Sequence, residues 1–175
     1  RCNVVTISEG DSFENSIMLD HSADEITTDE ADKIIKTIDE DLGTDKLEFY
    51  TGISYRHCLL WRDAPDFKDF VRPHDILGLR VGDNLPPEPF LSLIRQSHEI
   101  LCNHPINVAR MARGLKPANC IWLWSPGKKP SLPSFEEKWG LKAAVISAVD
   151  LIKGIGLCAG MESIDVEGAT GNVNT

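Results

Sequence analysis

Apolar positions change their spacing several times along the chain, and each change marks an element. Residues 2–7 (CNVVTI) form a nearly continuous β-branched run and predict a strand. A polar turn region follows around Gly10 and Asp11, and a short extended stretch at 17–19 predicts a partner for that strand. Beyond Thr27, apolar residues recur at Ala31, Ile34, Ile35, Ile38 and Leu42, the spacing of one helical face. Thr27 and Glu30 make a capping-box pattern before that face, and Gly43 supplies a stop after it. LEFYTG and SYRHCLLW then predict two strands joined through Gly52 as a hairpin. Residues 63–89 are rich in Pro, Gly and Asp, and a connection of that length in a compact domain often carries a site.

In the second half, Phe90, Ile94, Ser97, His98 and Leu101 fall near one face of a second helix, and residues 105–113 predict a short third one. NCIWLW is apolar without alternation and predicts a buried strand. A loop, SPGKKPSLPS, leads to a capped helical turn, SFEEKWG. KAAVISAV predicts another buried strand, and DLIKGIGLCAG a glycine-rich helix before the strand SIDV. Strands alternating with helices place the chain in the α/β class, a mixed β-sheet packed with helices as an α/β sandwich.

Composition narrows the function classes. The chain has 175 residues, 42% hydrophobic and 26% charged, which is ordinary for a globular domain with a real core. Its 18 basic and 27 acidic residues give a net charge of −9, the wrong sign for a surface that neutralises a nucleic acid backbone. A small phosphorylated ligand remains compatible, because a few clustered cations make a local positive pocket in a negative molecule. The five cysteines are scattered, with no Cys-x-x-Cys pair, and read as buried or idle thiols in a reducing cytoplasm. No apolar run approaches the roughly 20 residues that span a bilayer. Arg1 as first residue suggests a chain cut from something longer.

Several residues qualify as candidates by their chemistry. In the strand around Arg56 and His57, neighbours face opposite sides, so one of the two points inward or across a cleft. His74 and Asp75 could orient one another, or His74 could simply cap a turn after Pro73. Gly127 to Lys129 could cradle an anion or form a soluble turn. Lys153 follows an apolar strand, where open α/β sheets carry ligands, but an Asp-paired lysine is the blander alternative. Gly154, Gly156 and Ala159 imitate a dinucleotide fingerprint, although close helix packing accounts for them better. No Walker loop, catalytic triad spacing or metal-ligand spacing occurs.

RCNVVTIS, DHSADEITTDEA, SYRHCLLW, PHDILG, NHPIN, PANCIWLW, KPSLPSFEEKWGLKAAVISAVDLIKGIG and VEGATG occur in this order over nearly the whole chain. In these motifs the sequence resembles the archaeal-type, cofactor-independent phosphoglycerate mutases of the alkaline phosphatase superfamily. The resemblance implies an inserted substrate-binding domain over residues 1–140 and, over 141–175, a segment returning to the phosphatase-like metalloenzyme domain. It implies an isomerase that interconverts 3-phosphoglycerate and 2-phosphoglycerate through a phosphoserine. Two divalent ions, manganese or similar, would serve that serine, with ligands outside this chain and none within it.

By the same resemblance, Arg1, Arg56, His57, His74 and Asp75 fall in substrate-gripping motifs, and Lys128 stands where relatives often carry arginine. Lys153 falls where a lysine approaches the transferred phosphoryl group, making it the catalytic candidate. The chain departs from relatives at His21, Ser22 and Glu25, where they carry arginines, and at Ser125-Pro126, which replaces a Gly-containing turn. The expected setting is a cytoplasmic, glycolytic parent enzyme whose remaining phosphatase-like domain packs against this piece, with no nucleic acid or membrane partner. The piece alone is expected to be catalytically inactive. A phosphotransferase of other specificity, homoserine kinase-like or phosphonate-related, and a non-catalytic phosphate-binding module are the alternative readings.

Overall fold

A computed structural model describes residues 1–68 and 70–169. The VEGATG motif therefore extends past the described residues at 170 and 171. The chain divides into two compact units, Arg1–Pro126 and a second beginning at Gly127.

The first unit is organised around β1 (Cys2–Ile7), all six residues of which are buried. The strand is antiparallel to three others. Cys2 and Asn3 pair with His57 and Arg56 of β4 (Arg56–Trp61), and Cys2 to Val5 pair with Leu123 to Cys120 of β5 (Cys120–Leu123). At its far end Thr6 and Ile7 pair with β2 (Met18–Asp20). β4 is also the second arm of the expected hairpin with β3 (Leu47–Thr51), running from Leu47↔Trp61 to Thr51↔His57. Alternation puts Leu47, Phe49 and His57 on the buried side and leaves Tyr50, Arg56, Cys58 and Leu60 exposed.

Helix α1 (Thr28–Leu42) packs against β3 through the face read from sequence, burying Ala31, Ile34, Ile35 and Ile38. Thr27 caps it by accepting from the Glu30 amide at 3.3 Å, but Glu30 does not complete the box; its carboxylate turns to Arg110 and Arg113. Gly43 stops the helix with an extended backbone, and its missing side chain matters because a Cβ would lie 2.2 Å from the Asp39 carbonyl. α2 (Phe90–Leu101) covers β5, and Ser97 on its buried face accepts from the Ile121 amide while donating to the Ile94 carbonyl. The third helix is α3 (Pro105–Ala112). The long connection 63–89 contains two 3-10 turns, Pro73–Ile76 and Val81–Asn84, and packs over Trp122, whose indole donates to the Val71 carbonyl at 2.9 Å.

Three successive non-glycine residues between β2 and α1, Ala23, Asp24 and Glu25, have φ of 49°, 55° and 49°. A left-handed run of that kind costs roughly 1–2 kcal/mol per residue and needs outside support. Arg110, 2% exposed, supplies much of it. Its guanidinium donates to the Ala23 carbonyl, to Glu30 and, at 3.0 Å, to the Lys116 carbonyl. Lys116 adds an ion pair to Asp20 at 2.8 Å, and its backbone N–H donates a hydrogen bond to the Asp24 carboxylate at 2.7 Å.

The second unit holds α4 (Phe135–Trp139), β6 (Ala144–Val145), α5 (Asp150–Cys158) and β7 (Glu162–Ser163). β6 and β7 are parallel, so this unit is a β-α-β crossover, and the two pairing senses occur in separate sheets, antiparallel in the first unit and parallel here. KAAVISAV is not a buried strand, however: only two residues pair, and both are half-buried or exposed. A strand is enclosed only if layers cover it, and among the described residues of this unit Gly156 alone is buried. Gly156 lets α5 approach β6, since a Cβ there would meet Val145 Cγ1 at 2.5 Å. Gly154 and Gly156 lie within α5 rather than in the turn before it, which removes the geometry of a dinucleotide fingerprint.

Arg110→Ala leaves Glu30 without its buried partner and the left-handed turn without its brace. Urea unfolding should register a loss of about 3–5 kcal/mol; a loss below about 1 kcal/mol would mean that the turn holds itself.

Candidate functional site

The carboxyl end of β5, the start of β1 and the start of β4 lie side by side through the Cys2↔Leu123 and Asn3↔Arg56 pairings. Around them an unbroken series of rings and cations forms. The Arg1 guanidinium stands 4.6 Å above the Trp124 ring. Trp124 meets His74 edge-on with ring centres 5.3 Å apart, and His74 lies 4.3 Å from His21. His21 meets the Tyr55 ring edge-on at 5.6 Å, and the Arg56 guanidinium covers Tyr55 at 4.2 Å while donating to its hydroxyl at 2.8 Å.

Asn3 ties the series together. It is buried, accepts from the Trp124 indole at 2.9 Å, and donates to the His21 carbonyl at 3.1 Å. His74 is carried inside the 3-10 turn that Pro73 opens, and the caps of that turn are Arg72 and Leu77 rather than His74. Its imidazole is held below the usual histidine value, first by burial, then by His21, with Arg72 and Arg56 adding to the effect and Asp75 opposing it.

Arg1, Arg56 and His74, far apart in sequence, are thus brought together. Asp75 is adjacent, but its carboxylate accepts from Arg72 at 2.8 Å and not from the His74 ring. His57 faces the interior, 6% exposed, with Nδ1 accepting from the Gly52 amide at 3.2 Å and Nε2 lacking a partner. Burial pushes its pKa down to about 4, against a smaller opposing effect of Asp32. Lys128 and Lys153 belong to the second unit, where Lys128 is exposed and Lys153, in the first turns of α5, pairs with Asp165. His21, Tyr55 and Trp124 were not candidates by sequence. Tyr55 and Trp124 border the quoted motifs' cations, but nothing in residue spacing shows that their rings support them.

Among the described residues, no group of three or more His, Cys, Asp or Glu side chains is placed to hold a metal ion. No described helix is long and apolar enough to cross a membrane. Two ring-seated arginines thus lie beside two histidines on an antiparallel sheet backed by helices, in an α/β domain.

Residues 1–107 match the family described as 2,3-bisphosphoglycerate-independent phosphoglycerate mutase, and the chain belongs to that family. It is 46% identical over 163 residues to a probable enzyme of that name from Geobacter sulfurreducens, covering 91% of this chain and 41% of the relative. It is 44% identical over 180 residues to the one from Methanosarcina acetivorans, covering all of this chain and 44% of the relative. Its fold is similar to the cofactor-independent phosphoglycerate mutase of Thermoplasma acidophilum, with TM-score 0.58 and 24% identity over 97% of this chain and 47% of that one. The PH0037 protein of Pyrococcus horikoshii gives TM-score 0.61 and 25% identity over 99% of this chain and 39% of that one. The chain thus spans less than half the length of these relatives.

Burial of neutral His57 has a measurable consequence. The unfolded chain takes up a proton near pH 6.5 and the folded chain only near 4, so this contribution is intact above about pH 6.5 and lost on acidification towards 4. Between pH 7 and 5 the cost is about 2 kcal/mol. Urea unfolding at both pH values should show that difference and its disappearance in His57→Leu; an unchanged difference in the variant would assign the acid sensitivity to another group.

Proposed function

We propose that this chain supplies the substrate-gripping part of a metal-dependent phosphoglycerate mutase, which interconverts 3-phosphoglycerate and 2-phosphoglycerate through a phosphoserine intermediate. The observation that carries the reading is the convergence of Arg1, Arg56 and His74 on one ring-supported cluster in a member of this family. Glycerate bears a carboxylate and hydroxyls, so its grip needs planar, fixed-charge donors, which arginine provides. Seating each guanidinium on an aromatic ring holds it extended and lowers the entropy lost on binding. His74 offers a further donor, with Asp75 and Arg72 flanking it. His57 is read as a support behind Arg56 rather than a direct contact, because its ring is buried.

The residues that bear the phosphoserine and the two divalent ions, manganese or similar, are assigned to chain beyond these 175 residues. Such ions neutralise charge on a phosphoryl group in transfer. The second unit is read as a segment of the phosphatase-like domain. Its parallel crossover leaves Trp139 (61% exposed), Leu141 (64%), Ile146 (58%) and Leu157 (60%) uncovered, as expected of a piece of a larger layered sheet. Lys153 is read as the cation of the second unit that meets the transferred phosphoryl group, and Lys128 as a further substrate contact. The whole enzyme is read as cytoplasmic and glycolytic.

A coupled mutase assay with manganese and 3-phosphoglycerate, run on the longer parent and on this chain, tests the reading. Turnover is expected in the parent alone, and Arg56→Gln in the parent should lower kcat/KM roughly 10- to 100-fold. Turnover by the 175-residue chain, or an unaffected Arg56 variant, would overturn it.

A further inference from the structure

We propose that Asn3 is the positioning residue of the grip, its buried amide fixing how the Arg1 and Arg56 guanidinium groups stand to one another where they meet the glycerate. The inference rests on the reading of the cluster as the substrate grip. It gives Asn3, 2% exposed, a role in substrate affinity that acts through Trp124 and not through a contact of its own with the ligand.

Asn3 stands between the two cations. In the sheet it lies opposite Arg56 on one side and Trp122 on the other. The residues flanking it hold the backbones of both ring platforms: the Arg1 carbonyl accepts from the Trp124 amide at 3.1 Å, and the Val4 amide donates to the Tyr55 carbonyl at 3.1 Å. Those bonds fix where Tyr55 and Trp124 leave the backbone but not how the Trp124 ring turns about its side-chain torsions. The indole N–H sets that, by donating to the Asn3 side-chain oxygen at 2.9 Å. At its other end the same amide donates to the His21 carbonyl, and the His21 ring meets Tyr55, the platform of Arg56.

An amide suits both neighbours. An indole N–H only donates and a carbonyl only accepts, so the side chain between them must accept at one end and donate at the other. Aspartate would set a carboxylate oxygen against the His21 carbonyl, and leucine would leave both groups without a partner. A Trp124 indole that turns to recover its lost bond carries its face away from the Arg1 guanidinium, 4.6 Å above it. Arg1 then loses the platform that orders it before the ligand arrives.

Steady-state kinetics of the longer parent, with NMR spectra of the 175-residue chain, provide the test. Asn3→Ala should raise the KM for 3-phosphoglycerate about tenfold while kcat changes by less than about threefold, because a grip equal in ground and transition states shows in KM. Trp124→Phe keeps a ring for Arg1 but has no N–H to be held, and it should raise KM to a similar extent. The double variant should reach no more than about thirtyfold, where independent effects would multiply to about a hundredfold. In the chain, Asn3→Ala should shift the Trp124 indole N–H resonance and leave in place that of Trp122, which donates to the Val71 carbonyl. An unmoved Trp124 resonance, or effects that multiply fully in the double variant, would overturn the positioning role and leave the grip standing. So would an unchanged KM in Trp124→Phe, which decides the matter even where Asn3→Ala does not fold. A parent without mutase turnover, or an unaffected Arg56→Gln, would overturn the grip itself.

Discussion

The buried guanidinium of Arg110 is the constraint on which the architecture of the site depends. It joins α3 to the start of α1 through Glu30, to the segment before β5 through the Lys116 carbonyl, and to the left-handed turn through Ala23. Removing a charge of this size from water is costly, and the cost is met only where every donor finds an acceptor in good geometry. Burial here offsets a second cost, the three residues in left-handed backbone that no glycine relieves. The turn in turn fixes where His21 projects.

From that fixed turn the cluster follows by pairing and packing. β1 brings Asn3 between β4 and β5, and Asn3 uses its amide to hold Trp124 on one side and the His21 backbone on the other. The rings then act as platforms, and among the described residues the exposed arginines at either end of the series have no carboxylate ion-pair partner that would compete with a ligand. Rigid support under charged groups is what anion recognition requires, because each donor ordered in advance is one that the ligand need not order.

Much of this fold is legible in the sequence because its elements obey local rules. The Ile34, Ile35 and Ile38 stripe, the LEFYTG and SYRHCLLW hairpin, and the unbroken apolar run at β5 each carry their own period. KAAVISAV misleads for the same reason: apolar composition signals burial, but the layers that would enclose it are not among the described residues. Arg56, Arg1 and His74 were legible through residue chemistry and family resemblance. His21 was not, since a histidine beside Ser22 has no periodic or charge signature, and its role arises from a turn conformation that only the distant Arg110 and Lys116 maintain. The inward direction of His57 was legible as one of two alternatives from strand alternation, while its unpartnered Nε2 was not.

The claim at the centre of this account is that the ligand is held by the ring-and-cation cluster of the first unit. Amide and side-chain NMR spectra of the chain, titrated with 3-phosphoglycerate, address it most directly. Shifts concentrated at Arg1, His21, Tyr55, Arg56, His74 and the Trp124 indole are the predicted result. Shifts confined to residues beyond Gly127, with these six unmoved, would contradict it.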